Sequence, residues 1–317
     1  MSQRLRAQKL PAEGHVVSNV AELCYLLDDG ELRICDMPTE ITMCRPDYFC
    51  IPSEEHEINA HMIGNTGMVN IPKAMEQWTK ANLLLKSLCE VHVMDAAPRL
   101  NDMVFAANGA STFVVDGVRT AIISSMVKQN RQGESRHYKK YLFRHGYDVR
   151  TLSSEVPFEG QGDILPHPHA GLMYGGYMLR WPKWSRTSKE AYAEVSAIFR
   201  VPVILLELVL KEFYHLDTAF CPLDNETVLY YPGAFSLESR EMIEKAFPRR
   251  IEVTYDEAMT FVCNAVVVGH HVVLPRGADR VGSVLEEMGF AVHWVDMDQF
   301  LLAGGAAKCL TLNHYRR

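Results

Sequence analysis

The sequence predicts an α/β fold in which strand–strand–helix–strand units repeat and close into a propeller-like ring. Three observations predict it. From residue 104 onward one order recurs: a short apolar strand, a Gly- or Asp-containing turn, a second apolar strand, an amphipathic helix and a closing strand. The units open near residues 104, 163, 216 and 261, and spacings of 59, 53 and 45 residues are those of a supersecondary repeat. A fifth unit begins at 306–312, and its missing helix and last strand can come from the other end of the chain, at 76–88 and 91–93. Pairing the two ends would remove open sheet edges. Periodicity alone also admits an ordinary α/β chain with four crossover units; the shared ends favour the ring.

The first unit reads as strands at 103–105 and 112–115, a turn at Asp116-Gly117 and a strand at 120–123. Its helix, 135–145, places Tyr138, Tyr141, Leu142 and His145 on one face, with Gly146 as the C-terminal cap and a strand at 147–152. The second opens at 162–165, continues through 172–174 and 177–179, and has its helix at 188–200 and last strand at 203–208. The third opens at Leu216-Asp217, with a strand at 228–231, a helix at 237–247 and a strand at 251–253. The fourth opens near Phe261, with strands at 265–268 and 272–274, a helix at 278–288 and a strand at 291–295.

Composition narrows the function classes. The 317 residues are 48% hydrophobic, which excludes a disordered or collagen-like chain. With 32 basic and 39 acidic residues the net charge is −7, which argues against a nucleic-acid partner. The most apolar stretch, 201–210, is interrupted by Glu207 and falls well short of the ~20 residues that span a bilayer. The basic N-terminus lacks the apolar core of a secretory signal. Eight cysteines form no CxxC pair and sit mostly in apolar runs, the pattern of buried free thiols in a reducing compartment. The expectation is a cytoplasmic protein with no membrane partner.

In a ring, the residues at the unit openings converge on the axis. Those positions carry Asn108; Glu159 and Asp163; His215 and Asp217; and Cys309. Together they offer a soft nucleophile, a proton-transfer group near neutrality and three carboxylates. Carboxylates that share a cavity repel one another unless a cation fills it. Zinc would use such ligands, but here they are far apart in sequence with no paired spacing. A planar guanidinium, with five N–H donors, is the better match. Each residue alone has an ordinary reading. A cysteine within a strand is usually core, acids in a Gly-rich segment usually serve turns, and Asn108-Gly109 is a common turn pair. Their coincidence at equivalent positions of successive units outweighs those readings.

Five segments then take on a family likeness: 103–108 (MVFAAN), 158–163 (FEGQGD), 214–218 (YHLDT), 263–266 (CNAV) and 304–312 (GGAAKCLTL). In order and jointly, they resemble the guanidino-group-modifying superfamily of arginine deiminases, dimethylargininases, amidinotransferases and arginine dihydrolases. The arginine dihydrolase domain of cyanobacterial type is the most similar branch. The resemblance covers about residue 40 to the C-terminus and implies a five-bladed α/β propeller of ββαβ repeats, the pentein fold. It implies a single catalytic domain at 37–317 and an N-terminal extension at 1–36 packed on the ring.

By the same resemblance Cys309 is the nucleophile, His215 the acid/base, and Glu159 and Asp217 the carboxylates gripping the guanidinium. Asp163 falls in the substrate-binding set. Asn108 stands where deiminases and dimethylargininases carry an acid and dihydrolases carry Asn. Arg131 and Arg180 resemble holders of a substrate carboxylate, and Asn59 a substrate-contacting Asn. After Asn59 the chain departs from the family pattern, with Ala60-His61 in place of a Pro-Trp pair. The implied activity needs no cofactor or metal and takes a small guanidino substrate such as arginine through an S-alkylthiouronium intermediate. Arginine dihydrolase is the first expectation. Dimethylargininase or arginine deiminase comes next, then an amidinotransferase, and last a non-catalytic binder. Nothing in the sequence fixes the oligomeric state, and a homo-oligomer is compatible with it.

Overall fold

A computed structural model describes residues 14–28, 40–51, 59–168 and 170–315. Of the N-terminal extension, residues 1–13 and 29–36 therefore lie outside the described residues, as does Cys35. The chain starts with β1 (Val16–Val17) and α1 (Val20–Asp28), followed by β2 (Glu40–Cys44), α2 (Ile71–Leu88) and β3 (Glu90–Met94). Next come β4 (Ala110–Val115), β5 (Val118–Ile123), a short α3 (Gln129–Gln132), α4 (Glu134–Arg144) and β6 (Asp148–Arg150). The following unit has β7 (Ile164–Pro166), β8 (Met173–Tyr177), α5 (Ala191–Phe199) and β9 (Val203–Glu207). It is succeeded by β10 (Phe220–Pro222), β11 (Thr227–Tyr230), α6 (Leu237–Ala246), β12 (Arg249–Glu252) and α7 (Tyr255–Met259). The last stretch holds β13 (Val266–Val268), β14 (His271–Pro275), α8 (Asp279–Glu287), β15 (Ala291–Val295), α9 (Asp298–Leu301) and β16 (Thr311–His314).

The described strands form five small mixed sheets of an α/β molecule. In each, a short first strand pairs antiparallel with a second, and the second pairs parallel with a third reached through a helix. The helical crossover is what a parallel connection requires. The fifth sheet joins the two ends: β16 runs antiparallel to β2, with Leu312 opposite Thr42, and β2 runs parallel to β3. One sheet has a fourth strand, because β1 adds in parallel to β9 through Val16–Val203 and Val17–Ile204.

The helices lie near their expected positions, with differences that have local causes. α2 starts five residues before the expected 76, because Asn70 caps it by accepting from the Lys73 amide and Pro72 fits the first turn. The expected opening strands at 103–105, near 216 and near 261 are turns and short 3₁₀ segments instead. The apolar residues there are buried, as in a strand, but they fold back on themselves. Met103 N bonds Leu100 O at 3.2 Å and Phe105 N bonds Asp102 O at 3.0 Å. Cys309 likewise precedes β16 and is not part of a strand. The chemistry-bearing residues thus sit on tight turns immediately before the first strand of each sheet.

Candidate active site

Each site residue is held by its turn. Glu159 precedes a 3₁₀ turn at Gly160–Gly162, and Gly160 has φ +53°, a conformation that costs glycine little. Gly162 is needed for a different reason: a Cβ there would lie 2.4 Å from Asn108 Nδ2 and 3.2 Å from the His215 ring. His215 precedes the turn Leu216–Thr218, whose Asp217 is fully buried. Cys309 lies between Lys308 and β16; its amide donates to Asn264 Oδ1 at 3.1 Å, and its carbonyl accepts from the Ala107 amide at 3.1 Å.

These turns bring Asn108, Glu159, His215 and Cys309 to the wall of one small cavity, with Asp217 behind the thiol. Cys309 Sγ is 3.6 Å from Asp217 Oδ2 and accepts from Asn264 Nδ2 at 3.1 Å. Burial, with Asp217 beside it, pushes the thiol well above its ordinary value, so the unliganded site holds it protonated. His215 Nε2 and Glu159 Oε2 are 3.0 Å apart. Burial raises Glu159, but its bond to His215 and the nearby Arg186 and Arg131 outweigh that and hold it at about 2. Burial lowers His215, and Asp163 (3.8 Å away) and Glu159 overcome it, so the imidazole ends above its ordinary range. Asp163 itself is pushed up to about 7 by burial and is fixed by the Thr187 hydroxyl at 2.6 Å and the Leu216 amide at 3.2 Å. It buttresses His215 from outside the cavity wall.

The two arginines expected to hold a carboxylate fare differently. Arg131 lines the cavity, but its guanidinium is already engaged. It makes two 2.9 Å bonds to Glu134 and donates to Asn108 Oδ1 at 3.0 Å and to Asp102 O at 3.2 Å. Arg180 is a correction: it is exposed, stands near the Trp181 ring and lies outside the cavity. The arginine from this segment that does line the cavity is Arg186, which the sequence did not single out. Arg186 is 2% exposed, packs over Tyr214 and has no hydrogen-bond partner on any guanidinium nitrogen. The two arginines lie six residues apart in the segment between β8 and α5, and spacing alone does not choose between them. The signal that could have chosen is the next residue, because the Thr187 hydroxyl accepts from the Glu159 amide at 3.0 Å and ties this stretch to the site.

Asp102 was also missed. It is buried in the cavity wall, where burial raises its pKa against the opposing charges of Arg131 and Arg186. Asn264 was visible only as part of a motif; it is the residue that holds Cys309 at both Sγ and N. Asn59 lines the cavity, yet its amide is committed to Tyr214 OH, Ala303 O and the amides of His61 and Met62. It ties the turn at 59–62 to Tyr214 and Ala303. Nearby, His61 Nε2 lies 2.9 Å from Glu212 O, a second tie for the same turn. Among the described residues no group of three or more His, Cys, Asp or Glu is arranged to hold a metal ion.

Arg186 and Asp102 thus add one buried positive and one buried negative charge to the cavity that holds Cys309 and His215. The family described as N,N dimethylarginine dimethylhydrolase, eukaryotic, matches residues 45–316. The chain belongs to this family. Relatives 35% identical to this chain carry two kinds of name. One is the bifunctional arginine dihydrolase/ornithine cyclodeaminase AgrE of a Nostoc species, 35% identical over 272 residues, which are 85% of this chain and 37% of AgrE. The other is the N(G),N(G)-dimethylarginine dimethylaminohydrolase of Mycobacterium tuberculosis, 35% identical over 271 residues, which are 85% of this chain and 84% of that enzyme. The chain spans 37% of the length of both bifunctional relatives, AgrE and ArgZ.

Solved structures agree. The N-terminal domain of ArgZ, in a form covalently bound to a reaction intermediate, superposes with a TM-score of 0.80 at 34% identity, covering 86% of this chain and 97% of that domain. A cysteine-to-serine form of the same domain with bound substrate matches equally well. A dimethylarginine dimethylaminohydrolase adduct with S-methyl-L-thiocitrulline shares the fold, with a TM-score of 0.68 at 18% identity, covering 87% of this chain and all of that one.

Proposed function

We propose that the protein hydrolyses the guanidinium of L-arginine through a covalent adduct on Cys309, consuming two waters and giving ornithine, two ammonia and carbon dioxide. The observation that carries this reading is one cavity that combines a thiol, a His215–Glu159 pair and the buried charges of Arg186 and Asp102. Arg186 suits an α-carboxylate and Asp102 an α-ammonium. With the head group there, the guanidinium falls among Cys309, Glu159 and Asp217.

The substrate guanidinium beside Cys309 stabilises the thiolate, and the thiol proton is released to solvent as the substrate binds. The thiolate attacks the central carbon while Glu159 and Asp217 hold the N–H groups. Collapse expels one nitrogen, which takes the His215 proton and leaves as ammonia, and an S-alkylthiouronium remains. Neutral His215 then removes a proton from water, the oxygen attacks, and the C–S bond breaks to give the ureido compound. Asn108 contributes no fixed charge, so the neutral ureido compound is tolerated and attacked again. The second round releases ammonia and a carbamate that breaks down to ornithine and carbon dioxide.

The name of the matching family and the Mycobacterium tuberculosis relative favour a second reading, dimethylargininase, with the same residues and an alkylamine leaving group. Mass spectrometry of products from arginine, methylarginines and agmatine separates the two. Ornithine from arginine supports the first reading; citrulline formed only from methylarginines replaces it with the second. Asn108→Asp is expected to halt arginine turnover at citrulline, and continued ornithine release by that variant contradicts the role given to Asn108.

The fold follows the same reading: five sheets stand as blades of a propeller about one axis, with residues 37–317 as one catalytic domain and 1–36 as an extension against it. The shared β16–β2–β3 sheet and the β1–β9 pairing support this arrangement. Thiolate chemistry suits a reducing, cytoplasmic compartment.

A further inference from the structure

Thr187 follows Arg186 and is 1% exposed, but it does not line the catalytic cavity. Its hydroxyl stands between the carboxylates that flank His215. The oxygen accepts from the Glu159 amide at 3.0 Å, and the proton goes to Asp163 Oδ2 at 2.6 Å. The neighbours fix this orientation, because an amide N–H donates and an ionised carboxylate accepts. The other Asp163 oxygen accepts from the Leu216 amide at 3.2 Å, on the turn that follows His215. Tyr192, on α5, borders the same hydroxyl and donates to the Asp163 and Gly176 carbonyls. The segment with Glu159, the turn with His215 and the segment with Arg186 are thus tied together at one side chain.

We propose that Thr187 is a positioning residue for proton transfer, its one hydroxyl fixing Asp163 and Glu159 against the His215 imidazole. The proposal rests on the reading above in which His215 is the proton donor. The groups facing the imidazole come from several elements. Glu159 at 3.0 Å and Asp163 at 3.8 Å approach from either end of the turn before β7. Asp217 faces it from the turn after His215, and Cys309 from the segment before β16. Arg131 and Arg186 bear on Glu159. Asp163 sits near the edge of ionisation: burial pushes it up to about 7, while His215, the Thr187 hydroxyl and the Leu216 amide oppose that. Without the Thr187 proton, Asp163 keeps its own proton to higher pH. A neutral Asp163 no longer supports the imidazolium, so His215 loses its proton at lower pH.

The test compares Thr187→Val, which keeps the shape without the hydroxyl, with Thr187→Ser, which keeps the hydroxyl. NMR titration of His215 in the unliganded full chain is read beside the pH profile of kcat on the guanidino substrate. Thr187→Val is expected to move the His215 titration and the alkaline limb of kcat down by about half a pH unit or more. Thr187→Ser is expected to keep both within about 0.2 units of the wild type. In Asp163→Asn, adding Thr187→Val is expected to move the titration by less than about half as much, because the effect runs through Asp163. A thermal melt checks the fold of Thr187→Val; if it has unfolded, Thr187→Cys, a weaker donor of similar size, replaces it with the same expected direction. An unmoved His215 titration overturns the proposal, as does an equal shift in Thr187→Ser or the full shift again in Asp163→Asn. A titration that moves while the kcat limb stays in place supports the role of Thr187 and counts instead against His215 as the proton donor.

Discussion

Buried charge is the main physical fact at the residue scale. His215 is fully buried, and the imidazolium survives there because Asp163 and Glu159 stand beside it. Folding therefore gains from protonated His215 below its ordinary value of 6.5, and that gain is lost as pH rises through the raised folded-state value. Glu159 works the other way. Held at about 2 against an ordinary 4.5, it stabilises the fold above that ordinary value and stops doing so as pH falls toward 2. The same charges set the pH range of turnover. After burial, Asp163 is the largest influence on His215, so Asp163→Asn is expected to move the alkaline limb of the kcat profile to lower pH. An alkaline limb at the wild-type position would remove His215 as the proton donor. Arg186 was not legible by spacing, since both it and Arg180 follow the same strand; its burial and the neighbouring Thr187 bond to Glu159 separate them.

Tight packing between turns and helices carries the element scale. Gly109 ends the turn that holds Asn108, and a Cβ there would stand 2.5 Å from the Tyr138 ring on α4. Tyr138 OH in turn donates to Met103 O at 2.8 Å, locking helix to turn. Gly109→Ala is expected to destabilise by about 1–3 kcal/mol, read as a lower urea midpoint. An unchanged midpoint would show that the turn can move away from the helix. The helices were legible because their apolar faces repeat at helical spacing, as with the buried Tyr138 and Leu142 of α4. The segments at 103–105 and 306–310 were not, since a buried apolar run reads as strand whether it is extended or folded into a turn. Asn108 and Cys309 lie in such turns, so their convergence was readable from repeat position while their local conformation was not.

At the scale of the whole molecule, chain topology assembles the site. Sheet β16–β2–β3 brings together strands whose residues are about 270 positions apart, and the thiol lies two residues before β16. Part of the N-terminal segment packs into the core. Val17 and Leu23 are fully buried, and among the described residues none before Asn59 lines the catalytic cavity. Deleting residues 1–36 is expected to lower stability by about 3 kcal/mol or more while turnover per folded molecule is kept. Loss of turnover in molecules that remain folded would give the extension a catalytic part. The repeat was visible as spacing, and the end-to-end sheet as a fragment lacking its helix. The addition of β1 to β9 was not, because two valines are too short a run to mark a strand.

The central claim is that carbon is transferred to sulfur at Cys309. Rapid acid quench of the enzyme during arginine turnover, followed by intact-mass and peptide-level mass spectrometry, tests it most directly. The account predicts an arginine-derived thiouronium mass on the Cys309 peptide, absent in Cys309→Ser together with turnover. Steady turnover by Cys309→Ser, or an adduct on any other residue, would contradict it.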